Sequence, residues 1–485
     1  MTRHDLNRPH SPSIHLLDND SLLNVFFFCR LALLGEDYSL LGGKWVRERW
    51  WYKFTHVCRR WRYRVLGSAS YLGLCLVCTY GTPVADMLAH SPLLPIIIDH
   101  IDRAREITAA DEEGIMFALQ HRNRVRCIRL RIPIPKLEKV LLAIGDEFPM
   151  LEYMYIKPPA RQNMRLKLPK TFQAPHLRHI ILNNFSIPIQ SPSLTPAVGL
   201  ATLSLQWIHS SAYFRPNDLL QRLSLMPQLE VLGIGFHSPV TNREVEMQLL
   251  DTPTMTLITL PNLHWFAFRG VSAYLEALLP RMTTPLLDRL QIAFFNQLTF
   301  SVPHLLQFIS TKENLKFRRV YFYFSPRALT MTVYPHPEAK MYTFSMEICC
   351  IHLDWQVASA VQIYDALRSA FSAVEHITLH YDSRFTLSED WQNAVDHTQW
   401  RELLRLFGNV KTLRVSKNGP VRQVSHSLRL DDEESPMELL PELKELQYFP
   451  SGDVDDVFTS FIDSREKVGH PITLTRLRKR LPRKS

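Results

Sequence analysis

Glycine is scarce in this 485-residue chain, at 16 residues against 32 prolines. That imbalance excludes long Gly-rich linkers and points to many short elements punctuated by Pro. No apolar run reaches the roughly 18 residues of a membrane-spanning helix. The stretch Leu22 to Leu34 has the length of a secretory signal, but Arg30 interrupts it and no small-residue cleavage site follows. An intracellular chain is expected, cytoplasmic or nuclear, with no membrane partner. Seven Cys, an odd number without framework spacing, argue against a disulfide scaffold.

Signatures of catalysis are lacking too. There is no G-x-S-x-G elbow and no H-E-x-x-H helix. Gly42-Gly43-Lys44 continues into Trp45, where a phosphate loop needs Ser or Thr for magnesium. Cys75-Leu76-Val77-Cys78 stands alone, without the second pair that a zinc site requires, and reads as buried strand thiols. Cys349-Cys350 reads the same way. His376 and His380 are spaced for one face of a strand, with no third ligand nearby. The run Asp431 to Glu434 lacks the interleaving of a calcium loop. No enzyme activity, cofactor or metal is expected.

What is present is ordinary globular composition, 46% hydrophobic and 21% charged, enough for a large core. The net charge of +9 is unevenly placed. Residues 44–64 hold eight Lys/Arg and one Glu, and the last ten residues hold six Lys/Arg and no acid. The remaining body is slightly acidic, which argues against a nucleic-acid partner. The basic end, from Arg476 to Lys484, fits either a nuclear import signal or a solubilising tail.

Near the N-terminus, Asp18 and Asp20 offer caps for a helix bearing Leu22, Leu23, Phe26 and Phe27 on one face. A second helix is expected around Trp50 to Leu66, with the stripe Trp51, Phe54, Cys58, Trp61 and Val65. Two short helices this apolar leave surface to be covered, the usual mark of a partner. The run from Ile14 to Phe26 and the later Val57-Cys58-Arg59-Arg60-Trp61-Arg62 resemble the F-box, its opening "LPxELLxxIF" and its "VCRRWR" third helix. The segment is similar to the F-box proteins abundant in mushroom-forming fungi. It departs in having His15-Leu16-Leu17 where the family opens with Leu-Pro, and in about fifteen extra residues near Leu31 to Arg47. The resemblance implies docking to Skp1, the adaptor of a cullin-RING ubiquitin ligase. Leu16, Leu17, Leu22, Leu23, Phe26, Trp51, Val57, Cys58 and Trp61 would carry it. The alternative is a helical hairpin that only caps the following domain.

From residue 125 an apolar-x-x-apolar-x-apolar pattern recurs twelve times, beginning at Val125, Leu151, Leu177, Leu200, Leu229, Leu263, Leu287, Phe317, Met341, Val374, Val410 and Leu443. Pro stands two residues before the first apolar position in six units: Pro149, Pro175, Pro227, Pro261, Pro285 and Pro441. At the chain's average Pro frequency about one is expected. Pro ends each connector before the next strand. Helix-like stretches lie between, such as Val271 to Leu279, Leu305 to Ile309 and Trp400 to Phe407. Leu72 to Val77 and Leu94 to Ile98 are candidates for extra strands that begin the sheet.

This pattern resembles the leucine-rich repeat. The usual Asn ladder is missing, with Phe185 in its place in the third unit. The expectation is an α/β chain: a disordered 1–13, a helical F-box over 14–68, an irregular leucine-rich-repeat-like horseshoe of parallel strands and helices over 70–465, and a basic tail over 466–485. The positions between the apolar ones would line a target-binding face: Tyr153, Tyr155, His264, Trp265, Arg289, Arg318, Arg319 and Tyr321, with Arg126, Arg129, Arg178, Lys411 and Arg414 beside them. The function implied is a ubiquitin-ligase subunit that holds a target protein. The alternative is a repeat scaffold outside that ligase.

Overall fold

The computed structural model describes residues 17–34, 50–159, 166–187, 189, 191, 197–237, 257–295, 302–381, 397–416, 421–429, 435, 437–449 and 458–477. Leu16, the 1–13 segment, the Gly42-Gly43-Lys44 run, the acidic run Asp431 to Glu434 and most of the basic end lie outside the described residues. The chain is mixed α/β, with long runs of parallel strands joined by helices and turns. It divides into two compact units. The first holds residues 1–184 and 192–196, the second 185–191 and 197–485.

The first unit opens with three helices, α1 (Asn19–Leu34), α2 (Trp50–Thr55) and α3 (Arg59–Gly67). Asp18 starts α1: its carboxylate accepts from the Asp20 and Ser21 amides at 2.9 and 2.8 Å. The amides of a first helical turn have no partner within the helix, so such a cap is favoured. Those bonds also hold the Asp18 carboxyl below its ordinary pKa.

The single helix expected over 50–66 is broken into α2 and α3. The Thr55 hydroxyl donates to the Tyr52 carbonyl at 2.8 Å, competing with helix continuation. Arg62 Nε donates to the Thr55 carbonyl at 2.9 Å, and Cys58 is extended, with φ −158°. The break turns Phe54 and Trp61 onto Phe26, at centroid distances of 5.2 and 5.0 Å.

Five parallel strands follow: β1 (Leu76–Cys78), β2 (Ile96–His100), β3 (Val125–Leu130), β4 (Tyr153–Ile156) and β5 (His179–Asn183), in sequence order. Helices α4 (Val84–His90), α5 (Ala109–Gln120) and α6 (Ile134–Ala143) connect the earlier ones. One face carries the register row Cys78, Ile98, Ile128, Met154 and Ile180, all buried. The other carries Val77, Ile97, Cys127, Tyr153 and His179, and there all but His179 are buried.

The second unit has eleven strands in one sheet: β6 (Thr202–Ile208), β7 (Val231–Phe236), β9 (Trp265–Gly270), β11 (Arg289–Phe295), β12 (Arg319–Ser325), β13 (Ala328–Tyr334), β14 (Phe344–Cys349), β15 (His376–Tyr381), β16 (Thr412–Val415), β17 (Glu445–Tyr448) and β18 (Thr473–Arg476). Two-residue strands β8 (Ile258–Thr259) and β10 (Met282–Thr283) pair separately. All twelve triplets expected from the sequence lead into a strand. The run continues to β18, beyond residue 465. Each of the six prolines is the second residue of a tight turn. The amide of the first triplet residue donates to the carbonyl three residues back: Leu151 to Phe148, Leu177 to Ala174, Leu229 to Met226, Leu263 to Leu260, Leu287 to Thr284 and Leu443 to Leu440. The fixed φ of Pro suits that position.

An unbroken apolar row crosses this sheet: Leu203, Leu232, Phe266, Leu290, Phe344, Val333, Val320, Ile377, Leu413, Leu446 and Leu474. Connecting helices include α7 (Pro216–Leu223), α8 (Ser272–Leu278), α9 (Pro303–Ser310), α10 (Leu353–Ala366), α11 (Arg368–Phe371) and α12 (His397–Arg405). The expected stretches at 271–279, 305–309 and 400–407 are α8, α9 and α12. Strand order departs from sequence order once. It runs β11-β14-β13-β12-β15, with β13 antiparallel to both neighbours.

Candidate functional site

The N-terminal helices close a small aromatic core. Leu22, Phe26, Trp51 and Trp61 are buried, and Leu17, Leu23 and Cys58 are half-buried. Phe26 and Trp61 therefore stabilise the helices themselves rather than offering surface. Trp50 stacks edgewise on Phe54 at 5.6 Å. What remains open is Val57 at 56% exposure, Phe28 at 66%, Tyr63 at 75% and Tyr71 at 51%. Phe27 joins Phe28 to Tyr71, with ring centroids 6.2 and 5.4 Å apart. From the sequence Phe28 counts among the apolar residues left to cover, whereas Tyr63 and Tyr71 carry no signal there.

Basic side chains of α3 line an open groove with Asn19 and Tyr63. Arg60 is held there by the Asn19 side chain and the Leu17 carbonyl, at 3.2 and 2.5 Å. Trp51 Nε1 donates to the Cys75 carbonyl at 3.2 Å, tying α2 to the start of β1. Gly73 has φ +59°, and a Cβ there would stand 3.0 Å from Arg30 Nη2.

In the first unit the face expected to bind a target is largely interior. Tyr153 is 4% exposed and packs with Cys75, Val77, Ile97, Cys127 and Ile181. Burial pushes its phenol up. Arg129 is buried with Asp99 at 3.3 Å, and Asp99 is pushed up to about 6 by the same desolvation. Tyr155 is half-buried against that cluster. Arg178 is exposed, and Arg126 is half-buried and pairs with Glu152 at 2.9 Å. Apolar neighbours at Val77, Ile97 and Ile181 make the strand apolar on both faces, which the triplet rule cannot see. Both CxxC thiols, Cys75 and Cys78, are buried, and neither forms a disulfide.

In the second unit the corresponding face is polar, aromatic and half-open. One register row reads Trp265, Arg289, then past β14 to Tyr334, Arg319 and His376. The Arg289 guanidinium lies between Trp265 and Tyr342, at 5.6 and 5.9 Å from their centroids. Arg319 lies on Tyr334 at 4.1 Å and donates to the Pro337 and Ala339 carbonyls. Tyr321 and Tyr323 both stack on His380, at 5.9 and 5.3 Å.

Several other cations of the face are ion-paired within the chain. Arg269 pairs with Glu347 at 3.0 Å beneath Trp207, whose φ is +60°. Glu375 accepts from Arg318 and Lys411 at 3.4 and 3.0 Å, and Lys411 holds its carboxyl low. His264 faces Asp288 at 3.8 Å. Among the described residues no carboxylate reaches Arg289, Arg319 or Arg414, and Arg414 lies 5.8 Å from the Phe449 ring. No group of three metal-ligating side chains occurs among the described residues, and no described helix is long and apolar enough to cross a membrane.

No family model matches the chain, and no curated protein matches it. Among solved structures it is similar to a chain in the crystal structure of a TLR13–ssRNA13 complex, at 13% identity and a TM-score of 0.31. That similarity covers 83% of this chain and 48% of the other. The chain thus spans about half the length of that neighbour.

Proposed function

We propose that this chain is the substrate-recognition subunit of a Skp1–cullin–F-box ubiquitin ligase. In this reading α1–α3 dock a Skp1-type adaptor, and the open sheet face of the second unit holds a target protein. The chain performs no chemistry itself. It brings a charged ubiquitin-conjugating enzyme near a lysine of the bound target, in the cytoplasm or nucleus. The observation that carries the reading is the aromatic surface around a helical core that is already closed. Phe28 and Tyr63 stay exposed, and Tyr71, though it touches Phe27 and Asn24 of α1, remains half in water; large apolar side chains left in water favour a partner.

The test is co-expression of the full chain with Skp1, followed by gel filtration. A one-to-one complex is expected. Phe28→Asp with Val57→Asp should dissociate it without changing the melting temperature, because both side chains are exposed. Phe26→Asp is unsuitable as a probe, since it would unfold the helices.

A second reading has its own support. The bond from Trp51 to the Cys75 carbonyl ties the helices to β1, as an end cap of the repeat would be tied. A soluble chain that elutes without Skp1 would favour that cap, and would leave a repeat scaffold outside the ligase.

A further inference from the structure

We infer that the β11–β14–β13–β12 face receives an extended peptide segment bearing two acidic side chains four residues apart. The inference rests on the reading of this face as the target-holding surface, and names the chemistry of what it holds.

Charge complementarity carries the argument. The ion-paired cations at this face meet carboxylates of the chain: Glu347 for Arg269, and Glu375 shared by Arg318 and Lys411. Arg289 and Arg319 instead lie on aromatic rings. A ring orients a guanidinium without neutralising it. The Arg319 side chain is further pinned by two backbone carbonyls, so its rotamers are already restricted before a ligand arrives. A positioned, half-buried, uncompensated guanidinium favours a carboxylate over water more than a free surface arginine does.

Spacing then sets the ligand. Arg289 and Arg319 share one register row, three strand steps apart. At roughly 4.8 Å per step their backbones stand about 14 Å apart. An extended peptide advances about 3.4 Å per residue, so four residues cover that distance. Such a segment crosses the strands rather than adding to their edge. Arg414, two strands beyond Arg319, stands two residues off that row, in register with Thr378 and Tyr321.

A single-stranded nucleic acid fits less well. It needs free ring faces for its bases and a cation for most phosphates. Here Trp265, Tyr334, Tyr321 and Tyr323 each have a face taken by Arg or His.

The experiment is selection of displayed random dodecapeptides on the immobilised full chain. Enriched sequences should carry Asp or Glu pairs four residues apart. The best peptide should bind about tenfold more weakly to Arg319→Ala and to Arg289→Ala, the latter removing no hydrogen bond and leaving the melting temperature unchanged. If Arg319→Ala loosens the 335–340 turn, Arg289→Ala alone decides. Neutral or basic peptides that lose binding on Trp265→Ala would overturn the acidic class while leaving the face as the binding surface. Peptides indifferent to Arg289, Arg319 and Trp265, or no enrichment, would overturn both. A dodecameric oligouridine that outcompetes the best peptide, and is itself weakened by Arg289→Ala, would overturn the peptide in favour of RNA. The adaptor complex is measured separately and is unaffected by any of these outcomes.

Discussion

Arg319 and Tyr334 are direct cross-strand partners of β12 and β13, and the guanidinium carbon lies 4.1 Å from the ring centroid. A cation over a ring in a half-open site contributes about 0.5–1 kcal/mol. The double-mutant cycle of Arg319→Ala and Tyr334→Ala, followed by chemical denaturation of the full chain, should return a coupling of about that size. A coupling near zero would mean that the ring does not hold the cation.

Phe26 and Phe28 sit two residues apart in α1 and have opposite roles. Phe26→Ala should cost about 3–5 kcal/mol of local stability, because a fully buried ring against Phe54 and Trp61 leaves a cavity. Hydrogen exchange should show loss of protection over 50–67. Phe28→Ala should change stability by less than about 0.5 kcal/mol and weaken adaptor binding. Equal thermal effects of the two would contradict the placement of the core.

Gly270 ends β9 against a wall of rings. A Cβ there would come within 2.7 Å of Phe268 Cζ and 3.2 Å of Phe236. Both rings are buried, so neither moves freely. Gly270→Ala should destabilise the second unit by about 1–3 kcal/mol. The outer-face Arg289→Ala is the matched control, with little thermal effect. A neutral Gly270→Ala would show that this packing has slack.

His100 is fully buried, and burial pulls its pKa down to about 4. The unfolded chain takes up the proton first, near 6.5, so this residue's contribution is full above 6.5 and is lost as pH falls toward 4. Asp99 beside it runs the other way: its pKa, raised to about 6, removes a penalty as pH falls from 6 toward 4. The two slopes oppose each other between pH 6 and 4. His100→Asn should therefore lose less stability than the unaltered chain on acidification across that window. Parallel profiles for the two proteins would refute the assignment.

Much of this architecture was legible because one signal had a backbone cause. Pro149, Pro175, Pro227, Pro261, Pro285 and Pro441 each occupy the second position of a turn whose last residue opens the triplet. The turn fixes where the strand begins. Other features had no such marker. The β12–β13 hairpin turns at Pro326-Arg327, and period-two alternation runs through both arms, but none of the twelve triplets falls in β13. The break at His56–Cys58 depends on Arg62 reaching the Thr55 carbonyl, a contact without a sequence period. Tyr153 was legible as lying on the non-triplet face but not as buried, since burial there depends on what surrounds Val77, Ile97 and Cys127. At the second face, Trp265, Arg289, Arg319 and Tyr321 were readable as strand positions. Their pairing into ring-and-cation units required knowing that β14 and β13 lie between β11 and β12.

That insertion also sets an order of events during synthesis. A chain emerging from its N-terminus completes β12 before either of its neighbours, β13 and β15, has been made. Meanwhile the edge of β11 stands bare and must wait for β14, whose last residue is Cys349. An open parallel edge beside a finished, apolar-backed strand invites their direct pairing. Native order requires that β12 stay off that edge until about twenty more residues have been added. The stretch from Arg289 to Cys349 is thus the place where vectorial folding must be delayed, whereas the strands on either side can be laid down as they appear.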